Sequence, residues 1–291
     1  MTDLAVLRRR YAARMMALAR VQDSRVETAF ARVPREAFTG PPPWTLLGEQ
    51  EVPGDPAEPA SLYADVLVAL DPARGLNSGA PSLHVLMLHR LAAQPGEHVL
   101  HCGAGAGYYS AILAEIVGPE GRVTVVEHDA RLAETARENL RPWPQVTVVQ
   151  GDAADFPAEP VQRIYVNFAV AMPAPRWLDA LALGGALVMP LGVARPGTAP
   201  RGPRRPASAG GAVLRITRAA GGYAVRYVGP CSFVCAEGPL AGDAAHQALL
   251  ADAFARDGVE FVQSLRRPDP PPSRAWFWCP AWSLSYDPVT P

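Results

Sequence analysis

The chain has no lysine: all 27 basic residues in its 291 are arginine. It can therefore carry no Schiff-base amine, no P-loop lysine and no lysine general base. The abundance of Ala, Arg, Pro and Gly traces this lack to GC-rich coding. Net charge is also nearly absent, at −1 from 28 acidic and 27 basic residues. That removes the general electrostatic footprint of a nucleic-acid binder. No apolar run approaches the roughly 20 residues of a membrane-spanning helix. Cysteine is scarce. Cys102, Cys231, Cys235 and Cys279 have no spacing of a secreted disulfide scaffold, so a reducing cytoplasm is expected. Cys231 and Cys235 lack a second pair, so no metal site is expected, and Cys102 reads as an inert core thiol.

Proline is plentiful by contrast, at 31 residues. It clusters at Pro41–Pro43, Pro53–Pro59, Pro196–Pro206 and Pro268–Pro272, which marks loops rather than a disordered chain. Apolar spacing predicts a helix over 2–31. Its arginines (Arg8, Arg9, Arg10, Arg14, Arg20) also fit an organelle transit peptide. The pattern runs smoothly into later helical sequence, so an amphipathic first helix is the expectation. A Pro-rich loop is expected over 39–60, and Pro81 starts a helix over 81–93. Strands at 97–102, 122–127, 146–150, 163–168 and 186–190 then alternate with helices at 108–117, 129–140 and 174–182. This alternation predicts a parallel sheet with helices on both faces. Residues 193–211 read as a mobile loop. Strands 212–218 and 223–227, joined by Gly221-Gly222, read as a hairpin. A helix over 243–257 has Asp243 as N-cap and Gly258 as stop. The segments 259–265 and 274–286 read as a second hairpin around a Pro-rich turn.

In a parallel α/β sheet, ligands bind beyond the carboxyl ends of the strands. Gly103-Ala104-Gly105-Ala106-Gly107 falls in the first strand-to-helix turn of such a sheet. Glycine serves there because the turn takes unusual φ/ψ angles and a ligand must approach the backbone. Glu127 ends the next strand, about 20–25 residues on, where a carboxylate can accept hydrogen bonds from ribose hydroxyls. Asp152 ends the third strand, within reach of an adenine. Each acid alone fits a surface charge or a helix cap. In register on successive strand ends, they point with the glycines to a nucleoside-bearing ligand. A dinucleotide turn would carry a third glycine where Tyr108 stands, which disfavours NAD and FAD.

These motifs resemble those of class I S-adenosylmethionine-dependent methyltransferases. More narrowly, the chain resembles the protein-L-isoaspartate O-methyltransferase family. Residues 23–38, with Arg25-Val26, Ala29-Phe30 and Val33-Pro34-Arg35-Glu36-Ala37-Phe38, are similar to its N-terminal signature. Tyr63-Ala64-Asp65 resembles the segment that follows, Val99 to Tyr108 the glycine motif, and Gly184 to Gly192 the late strand motif. The resemblance spans roughly residues 10–235. It implies an α/β fold: a Rossmann-like, doubly wound, mostly parallel sheet with a terminal antiparallel hairpin, plus a C-terminal extension. It implies S-adenosylmethionine as cofactor and S-adenosylhomocysteine as product. The implied cofactor residues are His101, Gly103, Ala104, Gly105, Gly107, Tyr108, Glu127, His128, Asp152 and Ala153. The glycines would cradle the methionine portion, Glu127 the ribose, and Asp152 with Ala153 the adenine edge. The expected organisation is a methyltransferase domain over 1–238 and an extension over 239–291. The domain divides into a helical and loop cap (1–95), a cofactor core (96–192), the mobile loop (193–211) and the hairpin (212–238).

There are departures from the family pattern. The family carries a Ser-Gln-Pro-type motif before the helix that approaches the substrate; here the segment is Asn77-Ser78-Gly79-Ala80-Pro81-Ser82. With Pro81 aligned and Met87 at the family's later Met position, Gly79 takes the serine's place, and Ser78 substitutes only after a one-residue shift. His101 stands at the family's acid, and Asn167-Phe168-Ala169 at its threonine-alanine run.

Methyl transfer from a sulfonium is an in-line displacement, so the protein mainly aligns the reactants and excludes water. A carboxylate nucleophile is already ionised at neutral pH and requires no general base. Ser78 and Asn167 are the catalytic candidates, Asn167 either bonding the acceptor or capping the next helix. His84, His89, His101 and His128 are the available bases for an amine or phenol acceptor. His101 either lines a pocket or is a satisfied strand-end histidine. It faces the opposite side of its strand from His98, so the two cannot chelate one metal. Trp276 and Trp278 are expected to share a strand face, as sheet cover, as a homodimer contact or as an acceptor lid. The expected activity is methyl transfer to a carboxylate of a peptide, protein or small molecule, with no nucleic-acid or membrane partner. A same-fold O- or N-methyltransferase of peptide or natural-product biosynthesis is the alternative. A non-catalytic cofactor binder or a nicotinamide oxidoreductase comes last.

Overall fold

A computed structural model describes residues 3–47, 55–194, 205–267 and 273–289. The chain packs as two compact units, Met1–Ala153 and Ala154–Pro291. Residues 48–54 of the expected loop at 39–60, residues 195–204 of that at 193–211 and the whole Pro-rich turn at 268–272 lie outside the described residues; in the second loop, 193–194 and 208–211 are strand instead.

The first unit begins with α1 (Leu4–Ala19) and α2 (Ser24–Arg32). One continuous helix over 2–31 is therefore corrected to two. Arg20 takes a left-handed conformation at φ 54°, and Asp23 caps α2 by accepting from the amides of Arg25 and Val26 at 3.2 and 3.3 Å. The Asp23 carboxylate thus satisfies first-turn amides of α2 that have no intrahelical acceptor. Val26, Ala29 and Phe30 form the buried stripe of α2. A small antiparallel sheet follows, β1 (Leu46–Leu47), β2 (Leu67–Asp71) and β3 (Leu76–Asn77), in the order β1-β2-β3. Next comes α3 (Pro81–Leu91), with proline at its first position.

The expected α/β alternation then appears: β4 (His98–Cys102), α4 (Tyr108–Val117), β5 (Arg122–Glu127), α5 (Ala130–Asn139) and β6 (Val146–Gln150). The three strands are parallel, with β5 central. Every residue of β4 is buried, as a strand covered on both faces requires.

The second unit holds β7 (Val161–Val166), α6 (Pro175–Ala180) and β8 (Leu181–Ala194), with β7 and β8 parallel. The chain then turns antiparallel through β9 (Ser208–Ala219) and β10 (Gly222–Cys231). This hairpin is longer than 212–227, but its turn falls where the glycines predict. Next is α7 (Ala244–Ala255), capped by Asp243 on the His246 amide at 2.8 Å. It lies against β8.

The remaining strands are β11 (Ser264–Arg266), β12 (Ala275–Cys279) and β13 (Trp282–Ser285). They continue the sheet in the order β10-β11-β13-β12. The last hairpin is therefore β12–β13, closing at Cys279↔Trp282, and β11 pairs with β13 rather than β12. A bulge between Ala275 and Phe277 corrects the shared face of Trp276 and Trp278. Trp276 and Phe277 are both buried, whereas Trp278 is 45% exposed. No helix among the described residues is long and apolar enough to cross a membrane.

Candidate active site

The turn from β4 to α4 holds Gly103, Gly105 and Gly107 at φ +78°, +56° and +97°. An L side chain is strained in that region. Space is closed as well: a Cβ on Gly105 would lie 2.9 Å from Leu70 Cδ1, and one on Gly107 3.0 Å from Leu140 Cδ1. Ala104 lies buried between them. Asn139 at the end of α5 holds the turn from outside, donating to the Ala106 carbonyl at 2.9 Å.

Glu127 is the organising side chain. One carboxylate oxygen accepts from the Gly105 amide at 2.8 Å, and the other from the Asp129 amide at 2.9 Å. The backbone joins the strand ends: the Gly103 amide donates to the Val126 carbonyl at 2.8 Å, and the Gly151 amide to the Glu127 carbonyl at 3.0 Å. The glycine turn, Glu127 and Gly151-Asp152 are thus drawn to adjoining strand ends. Ala153, next in the chain, is buried. His128 is exposed, and its carbonyl accepts from Gln150 Nε2 at 3.1 Å.

Two of the expected cofactor side chains face elsewhere. The Tyr108 ring is buried in an aromatic cluster, 5.7 Å from Phe38 and 5.0 Å from Tyr109 between centroids. The Arg35 guanidinium stands 5.9 Å from its centre. Only the Tyr108 backbone belongs to the turn. His101 is fully buried, its Nδ1 2.8 Å from Ser110 Oγ in the first turn of α4. Through Nδ1 it braces the start of α4. His84 is fully buried too and stacks on Tyr109 at 3.7 Å between centroids. Burial disfavours the imidazolium at both: His84 is held well below the ordinary range, and His101 is pushed down to about 3.

A pH effect follows. An unfolded imidazole takes a proton below about pH 6.5, whereas folded His101 stays neutral down to about 3. The unfolded state then binds more protons, so stability is full above about pH 6.5 and falls toward pH 3, by up to about 1.4 kcal/mol per pH unit for this one group. Urea unfolding of the parent at pH 7, 6 and 5 should show the fall, and His101→Asn should reduce its slope. Equal slopes would remove His101 as its source.

The segment before α3 serves the fold. Ser78 Oγ accepts from the Val68 amide at 3.0 Å and from Arg35 at 3.3 Å. In the structure the Ser78 hydroxyl holds β2 to Arg35. Gly79 has φ +71°, and a Cβ there would meet His84 Nε2 at 2.2 Å. A serine at position 79 would require His84 to move.

The N-terminal signature serves packing in the same way. Arg35 donates to the carbonyls of Leu62, Ala64 and Val66 at 2.6, 3.0 and 2.5 Å. Glu36 pairs with Arg8 at 3.4 Å and accepts from the Tyr63 hydroxyl. Asp65 accepts from the Ser82 amide and hydroxyl at 2.8 and 2.6 Å, fixing the start of α3.

In the second unit, Asn167 directly follows β7. It is half-buried, and its Oδ1 is buried with no hydrogen-bond partner among the described residues. The helix-cap alternative fails, because the N-cap of α6 is Ala174. No group of three or more metal-ligating side chains occurs among the described residues.

Sequence reading missed Leu70, Asn139 and the tip of the β2–β3 hairpin. There Asp71 pairs with Arg131 at 3.1 Å and Arg74 with Asp129. Asp71-Pro72-Ala73-Arg74-Gly75 carries a turn signal, but a turn signal does not name a distant partner.

The fold is that of the class I methyltransferases. Comparison with known proteins narrows the class. A family model described as protein-L-isoaspartate(D-aspartate) O-methyltransferase matches residues 57–199. A protein-L-isoaspartate O-methyltransferase of Aeropyrum pernix is 40% identical over 177 residues, covering 59% of this chain and 62% of that protein. One of Methanothermobacter thermautotrophicus is 33% identical over 189 residues, covering 64% of this chain and 79% of that protein. The chain thus spans less than two thirds of the first relative's length and more than three quarters of the second's.

Among solved structures, a protein-L-isoaspartate O-methyltransferase superposes with TM-score 0.62 at 22% identity, covering 88% of this chain and 72% of that one. A putative Plasmodium falciparum enzyme in complex with S-adenosyl-L-homocysteine gives 0.59 at 17%, covering 79% and 98%. These two establish the fold. The chain belongs to the protein-L-isoaspartate(D-aspartate) O-methyltransferase family.

Proposed function

We propose that the protein transfers the methyl group of S-adenosylmethionine to a carboxylate of a peptide or protein, with the isoaspartyl carboxylate as acceptor. The carrying observation is the Glu127 carboxylate, held between the amides of Gly105 and Asp129 at the rim of the glycine turn. The turn fits the cofactor because the positive φ at its three glycines keeps Cβ atoms off the backbone that would face it. S-adenosylmethionine supplies a methyl group already activated on a sulfonium. In this reading the backbone of Gly103, Ala104, Gly105 and Gly107 receives the methionine portion. Glu127 accepts from the ribose hydroxyls, and Asp152 with Ala153 edges the adenine. Asn167 orients the acceptor beyond the end of β7. The acceptor carboxylate attacks as an anion, so no side chain has to remove a proton. The chain's contribution is alignment and the exclusion of water.

The test is methyl incorporation into matched isoaspartyl and aspartyl peptides. A base-labile methyl group on the isoaspartyl peptide alone is expected. Absence of incorporation despite tight S-adenosylhomocysteine binding would overturn the acceptor assignment. A second reading, a same-fold enzyme with a biosynthetic acceptor, draws support from Gly79 and His84, which leave no hydroxyl at the family's serine position. A cytoplasmic setting belongs to the proposal and is supported by four unpaired cysteines, two of them buried. A homodimer through the extension is supported by the exposed Trp278.

A further inference from the structure

The chain just after Asn167 runs as a short extended segment bonded on both sides. Val170 donates to the Pro190 carbonyl and accepts from Gly192, both at 2.9 Å. Ala169 donates to Val234 at 2.8 Å and accepts from Ala236 at 2.7 Å, and Ala171 donates to Leu240 at 2.8 Å. Those bonds are backbone to backbone and indifferent to side-chain identity. The Ala171 carbonyl is different, because it lies 3.0 Å from Nε2 of His246 on α7. A carbonyl can only accept, so Nε2 carries the proton and donates.

The imidazole is itself held from two sides. Its ring is 5.3 Å from Phe277 and 6.0 Å from Trp282, centroid to centroid. Gly242 also stands against it, at φ +64°, where a Cβ would fall 2.9 Å from His246 Cδ2. The aromatic hairpin β12–β13 thus fixes the ring, the ring fixes the Ala171 carbonyl, and that carbonyl lies four residues beyond Asn167.

We propose that His246 is a positioning residue for the methyl acceptor, acting through the Ala171 carbonyl on the segment that carries Asn167. This rests on the reading that the acceptor enters beside Asn167. The 239–291 extension then holds the acceptor-side loop in place. Misplacement of a reactant by about 1 Å costs as much as 100-fold in rate, so a single lost anchor is enough to matter.

The experiment uses the full chain as parent, His246→Ala and His246→Gln, because the Gln amide can donate from nearly the place of Nε2. Hydrogen exchange is read over residues 168–172, and steady-state kinetics with an isoaspartyl peptide. His246→Ala should speed exchange in 168–172 and lower kcat/KM for the peptide about tenfold. The KM for S-adenosylmethionine and the protection of β4–β6 should stay unchanged. His246→Gln should restore most of both losses. Unchanged exchange in 168–172, or equal losses in the Ala and Gln variants, would overturn the proposal. So would faster exchange with unaltered peptide kinetics. If the parent methylates no isoaspartyl peptide, the acceptor reading fails and the positioning claim falls with it; a parent that methylates the peptide, with unaltered kinetics in His246→Ala, overturns the positioning alone.

Discussion

Glu127→Ala is expected to weaken S-adenosylhomocysteine binding by about 2–3 kcal/mol, roughly 30- to 150-fold. The loss exceeds that of a simple ribose contact because the carboxylate also holds the turn. It accepts from Gly105 within the turn and from Asp129 beside it, so its removal leaves two amides without their partner as well as the ribose. Glu127→Gln retains one carbonyl acceptor but turns an NH2 toward one of those amides, so it should fall between parent and alanine. Calorimetry on the three proteins checks this order. An affinity for Glu127→Ala within twofold of the parent would refute the assignment.

Arg35→Met should destabilise the first unit by about 3–5 kcal/mol. The guanidinium is 1% exposed and supplies donors to three carbonyls and to Ser78. Methionine fills much of the volume but leaves the carbonyls of Leu62, Ala64 and Val66 buried without a donor, and each such orphan costs about 1–3 kcal/mol. The rings of Tyr11 and Tyr108, 6.0 and 5.9 Å from the guanidinium, lose a cation as well. A melting temperature lower by about 10 °C follows for a chain of this size. Arg35→Lys should recover little, because an ammonium cannot present the planar fork that reaches Leu62, Ala64 and Val66 together. A Met variant that melts within 2 or 3 °C of the parent, on the scale of about 2–4 °C per kcal/mol, would show that the clamp is dispensable.

Much of the cofactor side was legible in the sequence because its signals are local and periodic. Gly103, Gly105 and Gly107 announce a turn with unusual backbone angles, and Glu127 and Asp152 recur near strand ends set by the alternation of strand and helix. What escaped depends on partners far away in the chain. The role of Arg35 was hidden in a signature whose residues bond carbonyls about 30 positions on. For His101 the sequence offers a pocket role or a strand-end histidine, and the partner Ser110, nine residues on, has no sequence signal. At Asp23 the apolar period on both sides points to one helix, and the cap that divides it shows only in the structure. The faces of Trp276 and Trp278 were misjudged because alternation fails at a bulge. His246 has no motif at all; its meaning comes from the Ala171 carbonyl, 75 residues earlier.

The central claim is that the glycine turn with Glu127 and Asp152 receives an adenosyl sulfonium cofactor and not a dinucleotide. Titration calorimetry of the intact protein with S-adenosylhomocysteine, and separately with NAD, tests it most directly. Saturable binding of S-adenosylhomocysteine with no heat from NAD is predicted. Saturable binding of NAD with none of S-adenosylhomocysteine would contradict it.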